Sequence, residues 1–344
     1  MILVTGATGF LGHHVLRVLR HDPRFQSEPV RLLVRRPTKQ MRARGYDLVR
    51  GSVTDKEAVE TAVAGCRYIL HLAGKVSRSA ADAPEMMQLH VDGTRLLCDA
   101  ARSAKVERVV IASTSGTIAV ADEPVVLDEN AASPLERVRH WPYYLSKIFE
   151  ESVVMAAVRC GLPAIILNPT LLLGPGDRRL SSTGDVLRIL DGEMQSVPRG
   201  GMSAVDVRDA ASAFFAALTR GTIGGRYLLT AKNLTCADFA RQVAQIAKIP
   251  APTMRLPSGI ERWTASLIED LAAVRNRAPS IDRVTVEMAQ AHWYCDASKA
   301  QRELGFSPRD FDLTLRETIE WLRAHRRRVP AEAPLTLGSL FRRG

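Results

Sequence analysis

The chain has 344 residues, 46% hydrophobic and 24% charged, with a formal net charge of +10, which suits one large α/β domain plus a smaller companion. No apolar run approaches the roughly 20 residues that span a bilayer, and five scattered cysteines argue against a disulfide framework or metal ligands, so none is expected. The excess charge sits in Arg35-Arg36, Arg326-Arg327-Arg328 and Arg342-Arg343, without a nucleic-acid motif or interleaved aromatics, so no nucleic-acid partner is expected.

Met1-Ile2-Leu3 predicts a short buried strand, followed by Val4-Thr5-Gly6-Ala7-Thr8-Gly9-Phe10-Leu11-Gly12. From His13 to Arg20 the apolar residues fall at helical spacing, so the segment reads strand, glycine turn, helix. Such a start leaves no room for a signal peptide, and a cytoplasmic protein is expected. Gly6 can turn the chain, Gly9 admits a phosphate close to the backbone, and Gly12 lets helix and strand pack closely. The pyrophosphate of a dinucleotide then sits on the helix N-terminus, with Thr8, Phe10 and Leu11 completing the turn.

Val30–Val34 predicts the second strand, with Arg35 and Arg36 at its carboxyl end, where a dinucleotide fold meets the adenosine ribose. Arginine there pairs with a 2′-phosphate, whereas an acidic residue binds a free 2′-hydroxyl. NADPH or NADP+ is therefore the expected cofactor, with NADH the alternative. Residues 47–55 predict strand three and its exit loop, bringing Ser52 and Val53 beside the adenine, and Asp55 caps a helix over 56–64. Residues 68–74 predict strand four, whose last residues, Leu72, Ala73 and Gly74, let the backbone approach the middle of the cofactor. His71 reads as a packed core residue. A long helix is expected over 86–101 and a fifth strand over 106–112. This alternation predicts an α/β fold: a doubly wound parallel Rossmann sheet.

Strand five ends in Ser113-Thr114-Ser115-Gly116-Thr117, placing hydroxyls at the sheet edge where such folds bind ligands. Trp141 to Lys147 then opens a helix that puts Tyr143 and Lys147 on one face. A lysine ammonium beside a phenol favours the phenolate and lowers the tyrosine pKa, making a usable proton donor or acceptor. Leu162 to Leu173 predicts strand six, carrying Asn168, Pro169 and Thr170 over the nicotinamide.

With the glycine turn, the hydroxyl cluster, Tyr143-x-x-x-Lys147, Asn168-Pro169-Thr170 and Gly174-Pro175-Gly176-Asp177, the chain resembles the extended short-chain dehydrogenase/reductase superfamily to about residue 325. Within it, the chain is similar to dihydroflavonol-4-reductase-like, 3β-hydroxysteroid-dehydrogenase-like and hopanoid-associated reductases, and Val34-Arg35-Arg36-Pro37 matches their NADP-type strand ending. The resemblance implies that Tyr143 protonates a carbonyl oxygen as hydride arrives and that Lys147 holds the nicotinamide ribose and tunes Tyr143. A hydroxyl orients the substrate oxygen: Thr114 in the dihydroflavonol-type register, Ser115 in the epimerase-type register, with Ser115 the preferred assignment. His90 stands where relatives carry asparagine, and Ser52 where they carry aspartate.

The implied domains are an NADP-binding Rossmann domain over 1–175 and 202–225, a substrate-binding α/β domain over 176–201 and 226–325, and a basic tail over 326–344. Residues 258–273 form an amphipathic pattern that packs on its own domain or touches a greasy substrate or membrane surface. The expected activity is NADP(H)-dependent ketone reduction, or the reverse oxidation, on a mainly apolar small molecule. The alternative is an NAD-dependent sugar-nucleotide epimerase or dehydratase. Against the alternative, strand two ends in arginine, and Gly116-Thr117 stands where dehydratases carry an acidic pair. Family resemblance further implies a homodimer through the helix carrying Tyr143 and Lys147.

Overall fold

The computed structural model describes residues 1–194, 196–252 and 283–325. Within them the strands are β1 (Ile2–Thr5), β2 (Val30–Val34), β3 (Asp47–Arg50), β4 (Tyr68–His71), β5 (Arg108–Ala112), β6 (Ala164–Pro169), β7 (Leu171–Leu173), β8 (Gly201–Asp206), β9 (Arg226–Leu229) and β10 (Lys232–Thr235). Seven form one sheet in the order β3-β2-β1-β4-β5-β6-β9, and every neighbouring pair is parallel. β1, β4 and β6 are buried along their whole length, as expected where helices cover both faces of a parallel sheet. On one face, Val4, Leu32 and Leu70 pack against Leu16 and Leu19 of the helix Phe10–His21 and Phe214 and Phe215 of the helix Val207–Thr219. On the other, Ile69, Ile111 and Ile166 meet Val59, Leu97 and Val154 from the helices Lys56–Val63, Gly93–Ser103 and Pro142–Arg159. Strand order reverses between β1 and β4, so their carboxyl ends, with that of β5, open the crevice where such sheets bind ligands.

Three expectations need correction. The helix expected over 86–101 is broken: Ala83–Met87 and Gly93–Ser103 flank a π-helical turn, Gln88–Asp92. Such widened turns concentrate at functional sites, and this one directs His90 fully inward. The single strand expected to reach Leu173 ends at Pro169, which has no N–H to extend the ladder. The chain then crosses into a second sheet of order β10-β8-β7. Finally, β8 belongs to this small sheet and β9 to the large one, so the sheets cross the expected limits at 202 and 226. The small sheet has its own core of Leu173, Val186, Phe239, Val243, Leu315 and Ile319.

The amphipathic segment 258–273 and the tail 326–344 lie outside the described residues. Among those described, no helix is long and apolar enough to cross a membrane.

Candidate active site

The turn after β1 is shaped by glycines that no other residue could replace. Gly6 has φ +69°, and a Cβ there would lie 2.3 Å from the Leu72 carbonyl oxygen; one at Gly12 would lie 2.3 Å from the Gly6 oxygen. The Gly9 amide donates to Gly6 at 3.0 Å. Gly9 also caps the helix Phe10–His21 with no side-chain hydrogen bond, and the first turn contains no acidic residue. Its amide-rich end is thus open to an anion, so the residues fit a dinucleotide pyrophosphate. Thr8 is exposed, and Gly9, Phe10 and Leu11 are half-buried around it.

Arg35 and Arg36 are exposed at the end of β2. Ser52 is spent on its own turn, accepting from the Thr54 hydroxyl at 2.9 Å, and Val53 is buried beneath Gly93, where a Cβ would come within 2.9 Å of it. After β4, the Ala73 amide donates to Thr5 Oγ1 at 3.2 Å. Leu72 abuts Gly6, and Gly74 lies against His90. The side chains of Asn168 and Thr170 face inward. The Asn168 amide donates to Glu151 at 2.7 Å and Thr117 Oγ1 at 3.0 Å, while the Thr170 hydroxyl donates to the Leu229 carbonyl at 3.0 Å. Pro169 between them is buried.

Tyr143 and Lys147 lie one turn apart at the start of the helix Pro142–Arg159, which has proline at its first position and Trp141 as its cap. Tyr143 is half-buried and Lys147 is buried. The Lys147 ammonium donates to the Ala112 carbonyl at 2.7 Å and forms an ion pair with the fully buried Glu150. Burial pushes the Tyr143 phenol above its ordinary range, the Glu150 carboxylate adds to that, and a hydrogen bond with the Thr114 side chain acts the other way. The expected lowering by Lys147 is therefore overturned, because that cation is already paired. The two candidate hydroxyls also separate: Thr114 meets Tyr143, whereas Ser115 is buried and hydrogen-bonds the Cys295 thiol.

Two buried polar chains support the site. In one, Ala73 N–H donates to Thr5, Thr5 to His71 Nδ1 at 2.7 Å, His71 Nε2 to Thr94 at 3.0 Å, and Thr94 to Glu150 at 3.1 Å. The carboxylate at the end fixes these directions and the His71 tautomer. In the other, Glu151 accepts from Ser113, from Thr117 at 2.7 Å and from Asn168. His90 bridges the exit of β4 and the Tyr143 helix. Its Nε2 accepts from the Lys75 amide at 3.0 Å, so its Nδ1–H donates to Ser146 at 2.8 Å, and Ser146 donates to the Tyr143 carbonyl at 2.7 Å. Burial keeps both rings neutral, lowering His71 to about 3 and His90 to about 2.

Beside Tyr143 stands an aromatic wall. Tyr144 meets Tyr143 edge-on at 5.1 Å and Trp293 at 5.0 Å, and Trp293 stacks on Trp141 at 5.5 Å. Gly116 makes room for it, since a Cβ there would lie 2.2 Å from the Tyr144 ring. Sequence reading missed Glu150, Thr94 and this wall. Glu150 had a signal, being three residues beyond Lys147 and so on the same side of the helix; Trp293 arrives from a distant stretch with none. No His, Cys, Asp and Glu cluster suited to a metal occurs among the described residues.

A seven-stranded Rossmann sheet, a dinucleotide turn and a tyrosine–lysine helix define an extended short-chain dehydrogenase/reductase. The chain belongs to the NAD dependent epimerase/dehydratase family, whose model matches residues 2–229, and it is an NAD(P)-dependent oxidoreductase. A Synechocystis sp. protein whose name assigns it provisionally to dihydroflavonol 4-reductase is 30% identical over 94% of both chains. Sterol demethylase protein B of Methylococcus capsulatus is 28% identical over 93% of this chain and 98% of that one. The crystal structure of gox2253 superposes with a TM-score of 0.81 at 31% identity, covering 94% of this chain and 98% of that chain.

Proposed function

We propose that the protein reduces a ketone on a mainly apolar small molecule, using NADPH, with Tyr143 as the proton donor. The observation that carries this reading is the meeting of the Tyr143 phenol with the Thr114 side chain at the carboxyl end of β5, beside an aromatic wall. A bound nicotinamide dinucleotide supplies the hydride. Tyr143 delivers its phenolic proton to the carbonyl oxygen, and the Thr114 hydroxyl holds that oxygen in place. Lys147 spends two donors on Ala112 and Glu150, leaving one for the nicotinamide ribose.

Tyr144 and Trp293 offer a flat apolar surface rather than the polar side chains that sugar hydroxyls need. That favours an apolar substrate, in keeping with relatives named for a dihydroflavonol reductase and a sterol demethylase protein. Arg35 and Arg36 favour NADPH, because neither has a hydrogen-bonded or ion-paired partner among the described residues, and a 2′-phosphate would provide one. We assign the Rossmann domain to 1–170 and 207–229 and the substrate domain to 171–206 and 230–325, following the strands of the two sheets. A homodimer through the helix Pro142–Arg159, where Phe149 is 40% exposed, completes the reading.

The test is a fluorescence titration of the purified protein with NADPH and NADH. Tight NADPH and much weaker NADH are expected, and Arg35→Ala should weaken NADPH by about tenfold or more while leaving NADH unchanged. Preference for NADH, or NAD retained through purification, would favour the sugar-nucleotide epimerase alternative.

A further inference from the structure

Glu150 has no part in the chemistry above, yet it is a fully buried carboxylate one turn beyond Lys147. Such a group persists in a core only where charge and hydrogen bonds hold it. One oxygen takes the Lys147 ammonium. The other takes the Thr94 hydroxyl, at the end of a chain in which every donor points toward it. We propose that Glu150 is a positioning residue that takes up the Lys147 ammonium and so holds Tyr143 as a phenol, setting the site to deliver a proton to a carbonyl rather than to remove one from an alcohol. This rests on the reading of Tyr143 as proton donor.

Burial raises the Tyr143 phenol first and the Glu150 carboxylate adds to it, and the part owed to Glu150 is the part the pair controls. Glu150 is faced by Lys147 and Glu151 from its own helix, by Thr94 and Cys98 from the helix Gly93–Ser103, and by His71 from β4. Tyr143 is faced by Tyr144, by His90 from the π turn and by Thr114 from the β5 end, while Arg78 acts on Tyr144. Both histidines are neutral, so neither offsets Glu150. In the reductive step the Tyr143 O–H bond breaks and the alcohol O–H bond forms. The phenolate that remains is reprotonated from water. A paired Lys147 disfavours that phenolate as a resting state, so Tyr143 re-enters each cycle charged with its proton.

The inference is tested without a substrate. The full chain is labelled with tyrosine carrying 13C at the ring carbon bonded to oxygen, and the Tyr143 resonance is assigned by its loss in Tyr143→Phe. It is then followed with pH, with and without NADP+. In the wild type the Tyr143 signal should keep its phenol position beyond about pH 10, the ordinary tyrosine value. In Glu150→Gln it should ionise at least about one pH unit lower than in the wild type, and Glu150→Asp, which keeps the charge, should restore the wild-type course. Ionisation of wild-type Tyr143 at or below about pH 10 overturns the inference, as does a Glu150→Gln titration that follows the wild type. Should Glu150→Gln fail to fold, Glu150→Met, which keeps the volume without the charge, is titrated in its place against the same two outcomes. Failure of the underlying reading has a different signature, undiminished turnover by Tyr143→Phe.

Discussion

Lys147 has three donors, and two are committed to Ala112 and Glu150, so its effect on Tyr143 depends on a neighbour that a spacing rule does not include. The Tyr143–Lys147 pair was legible because both residues fall within one helical turn; their electrostatics were not, because Thr94, His71 and Thr5 come from three other elements. The choice of hydroxyl was likewise hidden, since adjacent residues leaving a strand face opposite ways and the sequence does not say which. The Thr114 side chain is within reach of the Tyr143 phenol, and the proposed function gives it that role. Thr114→Val should therefore lower turnover by about 10² or more, and Ser115→Ala by much less, in steady-state rates under saturating NADPH; the reverse ranking would return the role to Ser115. Glu151 gathers three donors, Ser113 just beyond β5, Thr117 in the turn that follows and Asn168 of β6. Glu151→Ala should destabilise the fold by about 3 kcal/mol or more, because those donors lose their acceptor inside the core, and urea unfolding measures it.

At the level of elements, the glycine turn was read correctly from three residues because its constraint is backbone against backbone. Two glycines calibrate how much of that is steric. Gly6 and Gly45 both have positive φ, but a Cβ at Gly6 would strike the Leu72 backbone, whereas one at Gly45 would meet nothing within 4 Å. Gly45→Ala should cost about 1 kcal/mol, the penalty of the left-handed conformation alone. Gly6→Ala should lower the unfolding midpoint far more than Gly45→Ala, because the new Cβ meets backbone, and equal midpoints for the two variants would contradict the account. The break in the expected 86–101 helix was not legible. Its cause is tertiary: His90 is drawn inward to bridge the Lys75 amide and Ser146, and no periodicity rule registers a bond to a residue 56 positions away.

Across the whole molecule, the second sheet was the least legible part, because β7 and β10 are short and find their partner β8 through long-range pairing. His14 links the two regions: its Nε2–H donates to the Pro175 carbonyl at 2.9 Å, joining the glycine-turn helix to the loop that follows β7 of the small sheet. Burial lowers it to about 4, so His14, His71 and His90 are all neutral in the fold. Their unfolded counterparts titrate near 6.5. Above that pH both states are neutral and the full stability is present; below it the unfolded chain binds protons that the native state refuses. The urea midpoint should thus stay flat between about pH 7 and 8 and fall steeply between about pH 6 and 5, and His14→Gln should make the fall shallower. A midpoint unchanged down to about pH 4.5 would contradict the neutral histidines.

The most direct test of the central claim is NADPH consumption with a panel of apolar cyclic and aromatic ketones, run beside Tyr143→Phe. The account predicts ketone-dependent oxidation of NADPH that falls by about 10² to 10⁴ in the variant while the NADPH dissociation constant is kept. Turnover of sugar nucleotides with none of ketones, or a Tyr143→Phe variant as fast as the wild type, would contradict it.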